Sequence, residues 1–347
     1  MFSKRYSRPH SPERRTRAHP AFDLDDPATY ADADVVILGA PVDGGTSYRS
    51  GSRFGPSAVR QACYLPQDGS RPSLALRVDA LAVYSGDMAR SVKGVEEAVF
   101  RIASSGAVPI VLGGDHSIAW PDHTGVARHF GFGKVSMIHF DAHADTADIQ
   151  FGSLVAHGTP MRRLIESGAL RGDRFLQIGL RGYWPDEPVL TWMAQHKLRS
   201  FEMTEVVERG LDDCLTEAAG IALDDCEGVF LSVDVDVVDP GSAPGTGTPE
   251  PGGLTPRQLL DAVRRLCYEL PVVSLDLVEV SPPFDHADVT ALLGNRVVLE
   301  ALSAIARRRR DQRDGTTWDR REPLLHGREA DEQLAQIDEG RVHGHSH

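Results

Sequence analysis

The pentapeptide Asp141-Ala142-His143-Ala144-Asp145 sets three ligand-type side chains at alternate positions, separated by two alanines that take up almost no room. It directly follows the apolar run Val135-Ser136-Met137-Ile138-His139-Phe140. In an extended segment residues two apart share a face, so the three groups can converge at the end of a buried strand. Carboxylate oxygen together with imidazole nitrogen suits a divalent ion such as manganese, zinc, iron or nickel rather than a thiolate site. Alone, the pentapeptide also reads as a capped turn with solvated carboxylates. Two further clusters, each placed after another apolar run, favour the metal.

The first is Gly113-Gly114-Asp115-His116-Ser117, after Val108-Pro109-Ile110-Val111-Leu112 and before a helix-compatible segment. Its glycines let the backbone turn tightly and present His116 at the strand's carboxyl end. A lone histidine there is more often structural; beside the other clusters it reads as a ligand. The second is Ser232-Val233-Asp234-Val235-Asp236-Val237-Val238-Asp239-Pro240. On a strand, Asp234 and Asp236 share one face while the valines pack on the other. Two bare carboxylates that close are very costly to bury, and a dication resolves the conflict. Asp239 either orients the turn into Pro240 or supports a ligand.

His116, Asp141, His143, Asp145, Asp234 and Asp236 make four carboxylates and two imidazoles. Four negative charges match two divalent ions, with shared carboxylates filling two incomplete shells. The gaps leave room for a bridging water, ionised near neutral pH because metals lower its pKa. The reaction class is then metal-assisted hydrolysis. Glu279, in Asp276-Leu277-Val278-Glu279-Val280-Ser281-Pro282-Pro283, ends another apolar run and is not needed by the charge count. A spare carboxylate there suits a cationic group, guanidinium above all, through paired hydrogen bonds. The alternative is a solvated strand end. His157, in His157-Gly158-Thr159-Pro160, either shuttles protons near the mouth or caps the following helix.

These groups need strands to carry them. Val35–Gly39, Leu81–Tyr84, Val108–Gly113, Val135–Phe140, Phe175–Gly179, Leu198–Phe201, Val229–Val235 and Val272–Val280 read as short buried strands, several of them near-continuous Val/Ile/Leu runs. Helix-compatible segments lie between them, notably Val95–Ser105, Ile118–Phe130, Thr159–Ser167, Pro256–Tyr268 and Val289–Ala306, with Thr255-Pro256 as an N-cap and first-turn proline. The alternation predicts an α/β fold, a parallel sheet with helices on both sides. Every proposed ligand sits at the carboxyl end of a strand, where open sheets place their sites.

A chain of 347 residues, 41% hydrophobic, suffices for one large α/β domain with a full core. No apolar run approaches the ~20 residues of a membrane span, so a soluble protein without a membrane partner is expected. The net charge of −13 argues against nucleic acid and for a cationic or small polar substrate. Cys63, Cys214, Cys226 and Cys267 form no CxxC pair, which reads as free thiols in a reducing, cytoplasmic setting. Residues 1–33, basic but broken by Pro9, Pro12 and Pro20, read as a flexible arm without a secretion signal. The domain is expected over 34–306. Residues 307–347 open with Arg307–Arg310 and close with His343-Gly344-His345-Ser346-His347, the composition of a disordered, charged tail whose histidines could bind metal only weakly.

In order and spacing, Gly113–Ser117, Asp141–Asp145, Ser232–Pro240 and the segment around Glu279 closely resemble the signatures of the ureohydrolase (arginase/agmatinase) family. The resemblance covers Asp34 to Ala306. It implies a three-layer α/β/α sandwich around an eight-stranded, mainly parallel sheet, assembled as a homo-oligomer, a trimer or hexamer. It implies two manganese ions per chain, with nickel as the variant. One ion would take His116, Asp141, Asp145 and Asp236, the other Asp141, His143, Asp234 and Asp236. A bridging hydroxide would attack the guanidinium carbon while Asp145 passes its proton to the leaving amine. Glu279 would hold the guanidinium and His157 would move protons to solvent. The products would be urea and an amine.

The stretch from Gly39 to Pro56 and His157-Gly158-Thr159-Pro160 resemble the agmatinase branch. Family arginases hold the α-carboxylate with asparagine and serine after the DAHxD motif; here residues 146–155 contain no asparagine, which disfavours arginine. Agmatine is the leading substrate and 4-guanidinobutyrate or another guanidino acid the alternative, and the distal pocket must differ in charge between them. Asp148, Asp186 or Glu187 would suit an ammonium; Arg49 or Arg181 would suit a carboxylate; Trp184, in Gly182-Tyr183-Trp184-Pro185, adds aromatic bulk to a rim loop. Met161 stands where the branch frequently has phenylalanine. Two remote readings remain, a single-zinc deacetylase on the same general fold and a non-catalytic homologue. The complete ligand set argues against both.

Overall fold

Eight short apolar runs become the eight strands of one sheet. They are β1 (Val35–Ala40), β2 (Val78–Ala82), β3 (Val108–Gly113), β4 (Val135–Phe140), β5 (Phe175–Leu180), β6 (Arg199–Glu202), β7 (Gly228–Asp234) and β8 (Val272–Val278). The computed structural model describes residues 26, 28, 30–63, 78–82 and 88–318. The strand order is β2-β1-β3-β8-β7-β4-β5-β6, and every pairing is parallel. The expectation of a mainly parallel sheet is thus met throughout. The helices among the described residues are α1 (Gly55–Gln61), α2 (Met88–Ser104), α3 (Ala119–Phe130), α4 (Pro160–Glu166), α5 (Glu187–Gln195), α6 (Met203–Arg209), α7 (Leu211–Leu223), α8 (Pro256–Glu269) and α9 (Val289–Asp314).

Side chains alternate across each strand, so one run feeds two cores. On β3, Val108, Ile110 and Leu112 join the core shared with α1 and α6 to α9, while Val111 joins the core shared with α2 to α4. This gives helix, sheet and helix in three layers and explains why the central strands are apolar on both faces. Helix α8 begins as expected. Thr255 accepts from Gln258 N, the Gln258 side chain accepts from Thr255 N, and Pro256 occupies the first turn.

Three boundaries differ from expectation. The tail predicted from residue 307 begins as helix. Helix α9 runs on to Asp314 because Arg307 pairs with Asp311 one turn later at 2.8 Å and Arg309 reaches Asp34 at 2.5 Å. Trp318 N then donates to the Tyr268 hydroxyl at 2.7 Å. The expected N-terminal arm is also shorter, since Tyr30 and Ala33 are buried in the core. Finally, α9 is long and apolar enough to cross a membrane, against the expectation that no segment is; 78% of that window is buried inside the fold, as for a core helix. The rest of the arm and tail, with the terminal histidines, lies outside the described residues.

Candidate metal centre

The proposed ligands stand at the carboxyl ends of β3, β7 and β4 and Glu279 at that of β8, four neighbours in the middle of the sheet. Beyond β3 the chain turns through Gly114, whose N–H donates to Ala40 O and whose carbonyl accepts from Glu279 N at 2.8 Å. A Cβ on Gly114 would lie 1.5 Å from Val42 O, an impossible contact. Gly114→Ala should therefore displace both His116 and Glu279 and cost about 3 kcal/mol or more, lowering the Tm by roughly 5–10 °C in a thermal melt. An unchanged Tm would mean that the β1 and β3 ends separate freely.

His116 Nδ1 lies 3.0 Å from Asp141 Oδ2, 3.1 Å from Asp145 Oδ2 and 3.2 Å from Asp234 Oδ2. His143 Nδ1 lies 3.0 Å from Asp236 Oδ2 and 3.5 Å from Asp141 Oδ1. All six expected ligands are therefore together, in two groups that share Asp141. Their division differs from the one the resemblance implied. Asp236 was expected in both groups and Asp234 only beside His143; here Asp234 reaches the His116 side and Asp236 the His143 side. The cause is local. Strand β7 stops at Asp234 and the chain enters a 3-10 turn, so Asp234 and Asp236 do not share a strand face. Asp234 Oδ1 accepts from Asp236 N at 2.8 Å and so closes that turn. The Asp141–Asp145 segment likewise converges by turning, with Asp141 Oδ1 accepting from His143 N at 2.6 Å and Asp145 at a φ of 51°.

Other residues set the ligands in place, and sequence reasoning assigned them no role. His116 Nε2 lies 2.9 Å from Ser232 Oγ, which donates to Asp276 Oδ1 at 2.8 Å. A hydroxyl whose hydrogen is committed to Asp276 must accept from Nε2–H, which leaves Nδ1 as the atom turned to the carboxylates, where an ion would bind. His139 Nε2 lies 2.9 Å from Asp141 Oδ2, with its ring between His116 and Phe175. Asp115 accepts from Gly45 N at 2.7 Å and from Ser117, fastening the loop after β1 over the site. Burial, then the charge of Glu279, raises the Asp115 carboxyl to about 6.

Electrostatics identify what the cluster lacks. Burial pushes Asp234 and Asp236 above the ordinary carboxylate range, and their charged neighbours add to it. Asp141 is held well below that range, against the cost of its burial, by the imidazoles of His139, His116 and His143. His116 and His143 are raised well above the usual histidine value by the surrounding carboxylates, although burial opposes this. In short, the cluster collects protons for want of positive charge. Divalent ions fit that donor set of oxygen and imidazole, and their binding would release those protons.

Glu279 is buried at a φ of 61°, a left-handed conformation unusual for a non-glycine residue. Its Oε1 accepts from His116 N at 2.9 Å and pairs with His157 Nδ1 at 3.0 Å. Its Oε2 is buried with no hydrogen-bond partner among the described residues, and Gly247 leaves the space beside it. His157 does not cap α4. Its Nε2 meets Ser47 Oγ at 2.6 Å, and the Glu279 contact, against the cost of burial, raises it to about 9.

Above these groups lies a cavity of about 210 Å³ walled by residues including Ser47, Ile149, Gln150, His157, Trp184 and Thr248. Of the suggested distal residues, Trp184 reaches it. Asp148 does not, because it pairs with Arg163 at 2.9 Å outside. Arg49 does not either; its guanidinium lies over Tyr48 and Phe284. Arg181 is saturated by carbonyls including Asp236 O and Glu250 O, and Asp186 caps α5.

A family model described as the arginase family matches residues 33–304. Guanidinobutyrase of Pseudomonas aeruginosa is 38% identical over 291 residues, spanning 80% of this chain and 88% of that protein. The mitochondrial agmatinase of Gallus gallus is 37% identical over 283 residues, spanning 78% of this chain and 81% of that one. Among solved structures, the proclavaminate amidino hydrolase of Streptomyces clavuligerus superposes with a TM-score of 0.73 at 33% identity, covering 80% of this chain and 92% of that chain. With ligand-type side chains from three strand ends gathered in one site and a match across most of its length, the chain belongs to the arginase family.

Proposed function

We propose that the protein hydrolyses a guanidino compound, R–NH–C(NH2)2⁺ plus water giving urea and R–NH3⁺, at a binuclear metal centre. The observation that carries this is the unpartnered, buried Oε2 of Glu279 beside the ligand cluster. An acceptor-only oxygen left bare in the interior is costly unless a donor arrives, and guanidinium supplies several in one plane. The names of the relatives support the same reading, for they include a guanidinobutyrase and an agmatinase. Membership of the arginase family sets aside the deacetylase alternative.

His116, Asp141, Asp145 and Asp234 would hold one ion and Asp141, His143 and Asp236 the other, with manganese as the native metal and nickel as the variant. Ions bound there would supply positive charge and a water acidic enough to attack near neutral pH. Glu279 orients the guanidinium carbon over the cluster. Asp145, at the cavity wall, takes up a proton and returns it to the departing nitrogen. The Glu279–His157–Ser47 chain leads from the buried carboxylate to the rim and moves protons outward.

Assembly as a trimer or hexamer and residence in the cytoplasm are part of the proposal. Exposed Phe151 and Tyr183 and four free cysteines support them. A monomeric mass in light scattering would end the first, and recovery outside the cytosolic fraction the second. The deciding experiment is urea release by protein stripped with chelator and reloaded with manganese or nickel. Release only after reloading, with two ions per chain, is expected; metal-independent release, or one ion per chain at full activity, overturns the binuclear reading.

A further inference from the structure

The cavity above the ligand cluster has, among the described residues, ionisable walls only at its floor, where His143, Asp145, His157 and Asp234 stand. Its mouth carries no carboxylate among the described residues. Asp148 is turned outward to Arg163, and Asp186 is used as a helix cap. What the mouth offers is Gln150. Its backbone N–H and carbonyl both pair with Ser153, at 3.0 and 2.9 Å. Its side-chain Oε1 accepts from Gly158 N at 3.0 Å, which fixes which end of the amide is oxygen, since a backbone N–H can only donate. The group left over is the Nε2 amide, a donor, on a side chain that lines the cavity.

We propose that the substrate's distal end is a carboxylate received by Gln150 Nε2, so that the enzyme is a guanidino-acid hydrolase rather than an agmatinase. This rests on the guanidino-hydrolase reading above and reverses the preference for agmatine that the sequence motifs gave. A carboxylate accepts from Nε2 in a charge-assisted hydrogen bond, the stronger kind. An ammonium would point its donors at another donor and would find no anion at the mouth. At the rim it would find the face of Trp184, 68% exposed. An exposed cation–π contact is worth about two- to fivefold in affinity, whereas a hydrogen bond to a charged group is worth about tenfold or more. The donor decides.

The test is kcat/KM of the manganese-loaded full chain for 4-guanidinobutyrate, its neutral amide 4-guanidinobutyramide, and agmatine, repeated with Gln150→Met and Gln150→Glu. Ratios between substrates within one variant are independent of how much protein folds, so a poorly folding variant still reports. Wild type is expected to prefer the acid to agmatine by tenfold or more. Gln150→Met should reduce the acid-to-amide ratio about tenfold, chiefly through KM, and Gln150→Glu should turn the preference toward agmatine. Agmatine preferred by wild type, or an acid-to-amide ratio that survives Gln150→Met, overturns this inference while leaving guanidine hydrolysis standing. Silence toward all three substrates overturns both.

Discussion

Glu279→Gln is expected to lower kcat/KM for the preferred guanidino substrate by about a thousandfold, with circular dichroism and thermal melting close to wild type. The amide keeps the size of the carboxylate and can still accept from His116 N through its oxygen. What it loses is the negative charge and the bare acceptor, Oε2, whose lone pairs face the guanidinium. In a buried site, loss of a charge-assisted pair of hydrogen bonds costs roughly 4 kcal/mol of transition-state stabilisation, which is three orders of magnitude in rate. Part of the effect should appear as weaker competitive inhibition by free guanidinium, which needs the carboxylate but no tail. Unchanged efficiency would remove Glu279 from the site and leave its bare Oε2 without a function.

Asp145→Asn should reduce kcat about 100- to 10,000-fold, because an amide cannot take up and return a proton. The fold has reason to tolerate the change. Asp145 sits in the left-handed region, which asparagine enters as readily as aspartate. The variant also removes one of the carboxylates crowding His116 Nδ1. Stripped of metal, it should therefore melt at or slightly above the wild-type temperature. Metal analysis separates the two roles of this residue. A variant that keeps two ions but turns over slowly has lost the proton carrier, whereas one that keeps a single ion has lost a ligand first. Near-normal turnover with both ions bound would move proton transfer to another group.

The convergence of the six candidate ligands could be read from sequence because each follows an apolar run, and such runs become parallel strands of one sheet whose ends lie together. The reasoning from strand alternation reached side chains that do converge, by a partly wrong route. Asp236 stands in a turn that the side chain of Asp234 itself closes, and no period-two pattern records that contact. Asp115, Ser232, His139 and Asp276 stood in plain view within the motifs. Their roles arise only across strands, as in Ser232 on β7 bridging His116 after β3 to Asp276 on β8. Arg49 and Asp148 failed as distal-pocket candidates for the same reason. A charge's sign is legible in sequence, but the partner that claims it, Arg163 for Asp148, is not. Gln150 drew no attention because a neutral amide matters only once one of its ends is occupied. The last turns of α9 were missed because a run of arginines resembles a solvated tail until Asp311 and Asp34 are seen to neutralise it.

The order of strands in the sheet bears on how the protein is made. Strand β8 is the last to be synthesised, yet it lies in the middle, between β3 and β7. The hydrogen bond from His116 N to Glu279 spans 163 residues, which a ribosome adding roughly 5–20 residues per second needs about 10–30 s to deliver. From the completion of β7 at Asp234 until β8 follows, the nascent chain can hold two half-sheets, β2-β1-β3 and β7-β4-β5-β6, each with an apolar inner edge open to wrong partners. Catalytic competence thus arrives in one step, when the keystone strand slides between the halves and brings Glu279 with it. Until then no growing chain can attack a guanidine.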